Sequence, residues 1–254
     1  MVKSGIEKIR LDKLLVERGL APTIQKSQAL ILAKAIKAND ACIDKAGTLV
    51  PVDAEIHIKG EDNPYVSRGG LKLKGALDEF KLKVEGLVAL DVGASTGGFT
   101  DCLLQAGATK VYALDVNYGQ LAWKLRQDKR VVVSERTNIR HYDGADLIEK
   151  PDLATIDVSF ISLKIVLPPI LRLLADDAQI LALIKPQFEA AREEVGRNGV
   201  IEDSAVHDRV IKEICEFCKS INLEDLRTCA SSILGPAGNK EFFILARKNK
   251  SNGN

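Results

Sequence analysis

The sequence predicts an α/β protein in which a parallel β-sheet domain follows a small α+β domain. From Gly86 onward, short apolar runs that suit buried strands alternate with stretches of helical periodicity. Strands that alternate with helices are typical of a parallel sheet covered by helices on both faces. Residues 10–58 instead combine helical spacing with a short alternating stretch, which predicts a separate mixed unit.

The front domain is bounded by a change in composition. Apolar residues at helical spacing predict two short helices near residues 11–15 and 29–31, and Ile56 and Ile58 alternate with polar neighbours as in a strand. The charged, turn-forming stretch at residues 59–64 suits a linker. We therefore expect domains at residues 1–60 and 61–254, with a disordered tail from about residue 249 to residue 254.

The second domain contains enough strand candidates for one large sheet. Helices are expected near residues 98–106 and 203–219. The predicted strands are residues 87–91, 111–115, 131–133, 153–157 and 180–184, with two further candidates near 226–232 and 241–247.

Composition excludes several classes of protein. No run approaches the roughly 18 apolar residues of a membrane span, and the first residues lack the apolar stretch of a signal peptide. Five cysteines, an odd number, suit reduced thiols in the cytoplasm, and neither Cys215 and Cys218 nor the three histidines have the spacing of a metal site. The net charge of +1 gives no global attraction to nucleic acid. Residues 1–85, with 15 Lys and Arg against 12 Asp and Glu, point weakly to a polyanionic partner.

A glycine-rich turn at residues 91–99, DVGASTGGF, follows the first predicted strand of the sheet. A dinucleotide fingerprint would need glycine where Ser95 stands, and a phosphate-binding P-loop would need a lysine that is absent. The remaining match is the loop with which class I methyltransferases bind S-adenosylmethionine (SAM). Asp115 ends the next strand about 20 residues later, where an acidic side chain would bind ribose hydroxyls.

These features predict a Rossmann-like class I SAM-dependent methyltransferase domain, the alternative being an ordinary strand, turn and helix with a solvated Asp. Asn138 could meet the adenine edge or only shape a turn. The candidate cofactor-binding residues are Asp91, Gly93, Ala94, Ser95, Thr96, Gly97, Gly98, Asp115, Val116, Asn138 and Asp157.

Four charged residues form the candidate catalytic set: Lys72, Asp157, Lys185 and Glu241. Singly, each could be a solvated charge at a strand end. Together and in this order they match the Lys-Asp-Lys-Glu tetrad of RNA ribose 2′-O-methyltransferases. A lysine that ends an apolar strand and precedes proline, as Lys185 does, contributes little to stability.

The predicted chemistry follows from the weak nucleophilicity of a ribose hydroxyl. A second lysine nearby disfavours the ammonium form of the first, so Lys185 could accept the hydroxyl proton or stabilise the oxyanion. Asp157 and Glu241 would orient the two lysines. Attack on a sulfonium methyl is an in-line displacement, so positioning should supply much of the rate.

Several longer motifs resemble the TlyA family of bacterial rRNA methyltransferases, whose members are also called haemolysin A. They are RLDKLL at 10–15, YVSRGG at 65–70 with Lys72, DVGASTGGF at 91–99, YGQLAW at 118–123, ERTNIR at 135–140, IDVSFIS at 156–162 and KPQFE at 185–189. The resemblance implies an S4-like RNA-binding domain, an FtsJ-like catalytic domain, and SAM-dependent 2′-O-methylation of cytidine in ribosomal RNA. The large subunit is favoured, and the small subunit remains open.

The front domain departs from the family at three places. Thr23-Ile24 stands where Ser-Arg is frequent, Lys34 where Gly is frequent, and Asp40 where Gly is frequent. Loss of the arginine removes a planar phosphate-binding group, for which nearby lysines could compensate as point charges. The candidate RNA-binding residues are Arg10, Lys13, Lys26, Lys34, Lys37 and Arg68.

Two other functions stay open at this point. One is a membrane-active haemolysin-type protein, and the other is an RNA-binding or SAM-binding module without turnover. Oligomeric state is also open. Tyr118 and Trp123 are predicted to lie on a helix and to pack in the core rather than to stack on bases.

Overall fold

A computed structural model describes residues 8–21, 23–39, 41–58, 63–196 and 198–249. The chain divides into two units, residues 1–62 and residues 63–254. Most of the predicted linker and all but the first residue of the predicted tail lie outside the described residues.

The described residues of the first unit form two short helices and five short strands, and the helices and last strand lie where periodicity predicted them. Strand β1 pairs antiparallel with β4, and β2 lies between β3 and β5 in a second small sheet. Leu11, Leu15, Ile31 and Ile36 are fully buried and form the core. The elements are β1 (Lys8–Arg10), α1 (Leu11–Glu17), α2 (Ile24–Leu32), β2 (Ile36–Ala38), β3 (Ala41–Ile43), β4 (Leu49–Pro51) and β5 (Ile56–Ile58).

The second unit is built on a seven-stranded sheet of order β11-β12-β10-β9-β6-β7-β8. Strands β12 and β11 pair antiparallel at one end, and the other five strands are parallel. This confirms the predicted fold class. The elements are α3 (Gly69–Phe80), β6 (Val88–Val92), α4 (Gly98–Gln105), β7 (Lys110–Leu114), α5 (Trp123–Arg126), β8 (Val131–Ser134), β9 (Leu153–Ile156), α6 (Leu163–Leu173), β10 (Gln179–Ile184), α7 (Pro186–Glu189), α8 (Ser204–Ser220), β11 (Leu223–Ala230) and β12 (Phe242–Lys248).

Both faces of this sheet are covered, which explains why its central strands are apolar throughout. One face packs against α6 and α8 through residues such as Leu90 and Ile156. The other packs against α3 and α4 through residues such as Leu103 and Phe243. Strands buried on two faces need apolar residues at successive positions rather than at alternate ones.

The order of the strands locates a crevice. Strand β6 lies between β7 and β9, so the chain crosses the sheet in opposite directions on its two sides. In open α/β sheets, ligands bind beyond the carboxyl ends of the strands at such a switch point. Three of the candidate site residues directly follow parallel strands at this edge of the sheet: Asp115 follows β7, Asp157 follows β9 and Lys185 follows β10.

The prediction that Tyr118 and Trp123 pack in the core is wrong. Tyr118 lies in a loop rather than on a helix and is 69% exposed. Trp123 does lie on a helix, as the first residue of α5, but it is 73% exposed. Leu121, just before this helix, and Leu125, within it, fill the core instead. A four-residue helix has only one buried face, and Leu125 occupies it.

None of the described helices is long and apolar enough to cross a membrane. The large apolar faces of α6 and α8 are in contact with the sheet, as the sequence analysis expected of the helical faces.

Replacing Tyr112 by Phe should destabilise the second unit by about 1–3 kcal/mol. Tyr112 is buried, and its hydroxyl oxygen accepts hydrogen bonds from the backbone N–H groups of Ile148 (3.1 Å) and Glu149 (3.2 Å). The change leaves both donors without that acceptor. Urea unfolding measures the difference, with the exposed Tyr118→Phe as control; equal midpoints for the two variants would contradict it.

Candidate active site

The glycine-rich loop that follows β6 presses closely against its neighbours. Gly93 has φ +86°, and a Cβ atom there would lie 2.5 Å from the carbonyl oxygen of Asp157. Gly97 has φ +100°, and a Cβ atom would lie 2.2 Å from Cδ1 of Leu125. Both positions therefore require glycine for conformation and for space. The loop is held against the end of β9 on one side and leaves its other side open.

Asp91 lies beneath this loop rather than in the crevice. Its carboxylate is fully buried and accepts hydrogen bonds from the hydroxyls of Thr100 (2.6 Å) and Thr155 (3.1 Å). These bonds join the start of α4 and strand β9 to β6. Burial raises the pKa of Asp91 to about 7. The sequence analysis predicted that Asp91 contacts the cofactor. Its burial and its two hydrogen bonds support a role in positioning the loop instead.

Asp115 lies at the crevice and is mostly buried. One carboxylate oxygen accepts from the backbone N–H of Ser95 (2.7 Å), and the other accepts from that of Asn117 (2.8 Å). Because a carboxylate has about four acceptor positions, two remain for a ligand's hydroxyl groups.

A cleft of about 500 Å³ opens in front of Asp115. Val116 and Asn138 also line it, as the sequence analysis expected. The Asn138 side chain accepts a hydrogen bond from the backbone N–H of Arg140 (3.1 Å) and so caps a single turn of 3₁₀-helix, Ile139–His141. Asn138 therefore shapes a turn and also faces the cleft.

The four predicted catalytic residues come together as two ion pairs. Nζ of Lys72, on α3, lies 2.5 Å from Oε2 of Glu241, just before β12. Nζ of Lys185, after β10, lies 2.6 Å from Oδ1 of Asp157, after β9. Each ammonium group thus has its own carboxylate, which orients it. The first pair is almost fully buried and the second is partly open.

All four residues line a second cleft of about 700 Å³. Its wall also includes Arg68 and the loop residues Ala94, Thr96 and Gly98. The two clefts share five lining residues and so form one connected crevice. These are Gly93, Ser95, Asp157, Ser159 and Phe160.

Several residues that line this crevice were not predicted, among them Ser159, Phe160 and Phe188. The Ser159 hydroxyl accepts a hydrogen bond from Nζ of Lys185 at 3.0 Å. Phe160 has φ +63°, is 90% exposed, and faces Phe188 with ring centroids 4.9 Å apart. The available sequence signal was the position of Phe160. The buried strand ends before Asp157, so an aromatic residue three positions after Asp157 lies outside the sheet and can face the crevice.

Asn239 also escaped prediction and holds the far wall of the larger cleft. It is buried, its Oδ1 accepts from the backbone N–H of Ile201 (3.0 Å), and its Nδ2 donates to the carbonyl of Gly199 (2.8 Å). It thereby joins the loop before α8 to the loop that leads to Glu241. Because both loops are irregular, their backbone groups depend on such side-chain partners.

Glu189 fastens the loop that contains Asp157 and Phe160. Its carboxylate accepts from the Ser162 hydroxyl (2.5 Å) and from the backbone N–H of Leu163 (2.7 Å). Burial raises the pKa of Glu189. Glu189 itself lines neither cleft.

The predicted RNA-binding residues divide between the two units. In the first unit, Arg10 is paired with Asp12 at 2.7 Å. The other four candidates there are exposed and have no carboxylate at ion-pair distance among the residues that the structure describes: Lys13, Lys26, Lys34 and Lys37. In the second unit, the Arg68 guanidinium donates to the carbonyl of Leu234 (3.2 Å). The departure at Asp40 lies outside the described residues.

The departures at Thr23 and Lys34 have local explanations. The Thr23 hydroxyl accepts from the backbone N–H of Lys26 (3.2 Å) and caps α2, so it retains the capping function of a serine. Lys34 has φ +55°, a conformation that glycine adopts more readily. Ile24 has no such explanation in the structure.

Replacing Glu189 by Ala should lower kcat of the predicted methyl transfer by roughly tenfold to 100-fold, because displacement of the 157–162 loop misplaces Asp157 and Ser159. Glu189→Gln keeps an acceptor oxygen and should recover part of the rate. The exposed Glu193→Ala is the control. Steady-state kinetics with donor affinity measured in parallel test this; wild-type kcat in Glu189→Ala would refute it.

Replacing Asp91 by Asn should remove a pH dependence of stability. The pKa of Asp91 rises from 3.8 in the unfolded chain to about 7, so the folded chain holds an extra proton between these values. The free energy of unfolding of the wild type should therefore fall by about 1.4 kcal/mol per pH unit across that range, relative to Asp91→Asn. Urea unfolding from pH 4 to pH 8 measures this, and parallel curves for the two proteins would count against it.

Comparison with known proteins identifies both units. Residues 65–248 match the FtsJ-like methyltransferase family, and residues 9–56 match the S4 domain. YqxC of Bacillus subtilis is 48% identical over 94% of this chain and 85% of its own length. The 16S/23S rRNA (cytidine-2′-O)-methyltransferase TlyA of Mycobacterium tuberculosis is 41% identical over 94% of this chain and 89% of its own length.

A solved structure resembles this chain over most of its length. A Streptococcus thermophilus protein described as a hemolysin is 42% identical, with a TM-score of 0.76 over 97% of this chain and 90% of that one. The resemblance found in the sequence motifs is therefore confirmed. These matches, together with the glycine-rich loop and the paired Lys-Asp-Lys-Glu residues, establish that the chain belongs to the FtsJ-like methyltransferase family and has an S4 domain at its front.

Proposed function

We propose that the protein is a SAM-dependent 2′-O-methyltransferase that acts on cytidine ribose in ribosomal RNA. The observation that carries this proposal is the position of the two Lys–carboxylate pairs, in the larger cleft where the smaller cleft opens into it. The name of the M. tuberculosis relative supports cytidine in rRNA as the substrate. An S4 domain supports an RNA partner.

The residues of the smaller cleft and the glycine loop fit SAM. Gly93 lines both clefts, and Asp115 retains acceptor positions for ribose hydroxyls. Val116 and Asn138 would flank the adenine, and Ser95, Thr96 and Gly98 would surround the amino-acid part. When bound, SAM supplies an electrophilic methyl group on its sulfonium.

The chain's own residues would prepare the nucleophile. A ribose placed in the larger cleft brings its 2′-hydroxyl to Nζ of Lys185, which Asp157 and Ser159 hold in place. In its neutral amine form Lys185 would accept the hydroxyl proton; as the ammonium that Asp157 orients, it would instead stabilise the developing oxyanion while SAM supplies the methyl group. Lys72, held by Glu241, adds positive charge to the same cleft.

The exposed ring of Phe160 suits the substrate's base. Phe160 lines both clefts, and its ring packs against the ring of Phe188. An aromatic face can stack on a nucleotide that has left its helix. Arg68 lies in the same cleft, where its charge would meet a phosphate.

The large-subunit rRNA is our favoured substrate, as the family resemblance implied, with the small-subunit rRNA as the alternative. Both are cytoplasmic RNAs in a bacterium, so we expect the protein to act in the cytoplasm. The alternative of a binding module without turnover predicts donor binding and no methyl transfer.

Replacing Lys185 by Ala should lower kcat by about 10²-fold or more, because the hydroxyl loses its proton acceptor or oxyanion partner. The assay is transfer of labelled methyl from SAM to purified 23S rRNA, 16S rRNA and the two ribosomal subunits. The control is Lys74→Ala, which removes an exposed lysine of α3 outside the cleft. Robust transfer by Lys185→Ala with unchanged folding would refute the assigned role.

The position of the modification separates the remaining possibilities. Mapping of 2′-O-methyl groups on rRNA from cells with and without the gene should reveal a cytidine in 23S rRNA that loses its methyl. Loss from 16S rRNA instead would correct the subunit. Donor binding by the purified protein with no transfer to any of the four substrates would favour the binding module.

A further inference from the structure

Residues 116–123 expose unusually large apolar side chains beside the cofactor cleft, and we call them the aromatic segment. Tyr118 and Trp123 are mostly exposed, and so is Val116. Contiguous exposed apolar patches mark binding sites, whereas single exposed apolar side chains need no explanation, so three such residues within one short segment point to a binding site.

The aromatic segment is held in place by the glycine loop. The backbone N–H of Ala122 donates to the carbonyl of Thr96 (3.0 Å), and Leu121 is buried against Gly97. The backbone N–H of Gly119 donates to Glu135 (2.9 Å). The two aromatic rings therefore face outward from a fixed backbone.

The neighbouring cations are available to an anion. The Arg136 guanidinium lies 4.4 Å from the centre of the Tyr118 ring, and its backbone N–H donates to the carbonyl of Asn117 (3.1 Å). Among the described residues, no carboxylate lies at ion-pair distance from Arg136 or Arg140.

Two acidic side chains beside the segment are already in ion pairs. Glu135 is paired with Arg126, and Asp101 is paired with Lys124 at 2.8 Å. A surface of aromatic rings with unpaired guanidinium groups suits a phosphate-bearing chain better than an apolar peptide.

The position of the segment relates it to the site of chemistry. Val116, Asn117 and Arg140 line the cofactor cleft, which opens into the cleft of the four catalytic residues. A nucleic acid strand lying on the segment would pass close to the methyl donor.

We propose that the aromatic segment, with Arg136 and Arg140, is a docking surface for unpaired substrate nucleotides that flank the methylated ribose. Their bases stack on Tyr118 and Trp123, and their phosphates pair with the two arginines. Single-stranded RNA is recognised by such stacking on aromatic side chains and on arginine. This inference rests on the proposed function and deepens it.

The test compares binding of an rRNA fragment by the full chain and by Tyr118→Ala, Trp123→Ala and Tyr118→Phe. We expect Kd for RNA to rise about tenfold in each Ala variant and to change little in Tyr118→Phe, which keeps the ring. Ile148→Ala is the matched control, since Ile148 is 84% exposed and lies outside the segment. Thermal unfolding verifies that each variant is folded.

Salt dependence tests the arginines separately. Arg136→Ala should reduce the slope of log affinity against log salt concentration by about one, because one phosphate contact is lost. An unchanged slope would remove Arg136 from the surface. The affinity for SAM is measured in parallel and should not change in any of these variants.

The outcomes separate this inference from the proposed function. If the wild type methylates rRNA and both Ala variants bind RNA as it does, the docking surface is refuted and the function stands. If the wild type methylates no rRNA but the Ala variants bind RNA more weakly, the function fails and the surface stands. Weakened SAM binding in the Ala variants would assign the segment to the cofactor site, and loss of a wild-type dimer in Trp123→Ala would assign it to self-association; either result overturns the proposal.

Discussion

The buried carboxylate of Asp91 is the constraint on which the active site depends. Its hydrogen bonds to Thr100 and Thr155 join the first helix after the glycine loop and the neighbouring strand to β6. Asp157 follows that strand, and its carbonyl oxygen is the atom that a Cβ atom at Gly93 would meet first. The loop that would surround the cofactor and the carboxylate that orients Lys185 therefore share one buried anchor.

Besides their proposed part in the chemistry, the two ion pairs fix the positions of their own side chains. Lys72 and Glu241 are 169 positions apart in the chain, yet their charged atoms meet in a nearly dry site. A buried charge that loses its partner costs several kcal/mol, so each lysine fixes the position of its carboxylate as much as the reverse. Ser159, Glu189 and Asn239 extend this positioning outward to the loops, where backbone groups lack partners of their own.

Local pattern was sufficient for much of the fold and part of the site. The five parallel strands of the large sheet lie where apolar runs predicted them, because strands buried on two faces need continuous apolar sequence. The glycine loop was recognisable because positive φ and close packing leave no other residue type at Gly93 and Gly97. The same approach failed for Tyr118 and Trp123, since periodicity over a few residues cannot tell which face of a short segment the leucines will occupy.

The sequence by itself determined that this chain has a parallel sheet, a glycine loop at its switch point, and four charged residues in a characteristic order. Only the tertiary structure decided how those charges pair, that Asp91 lies under the loop rather than in the cleft, and that Ser159, Glu189 and Asn239 take part. The reason is physical: strand and turn preferences arise from neighbouring residues, whereas a carboxylate's partner and a ring's exposure depend on elements that the fold brings together from distant parts of the chain.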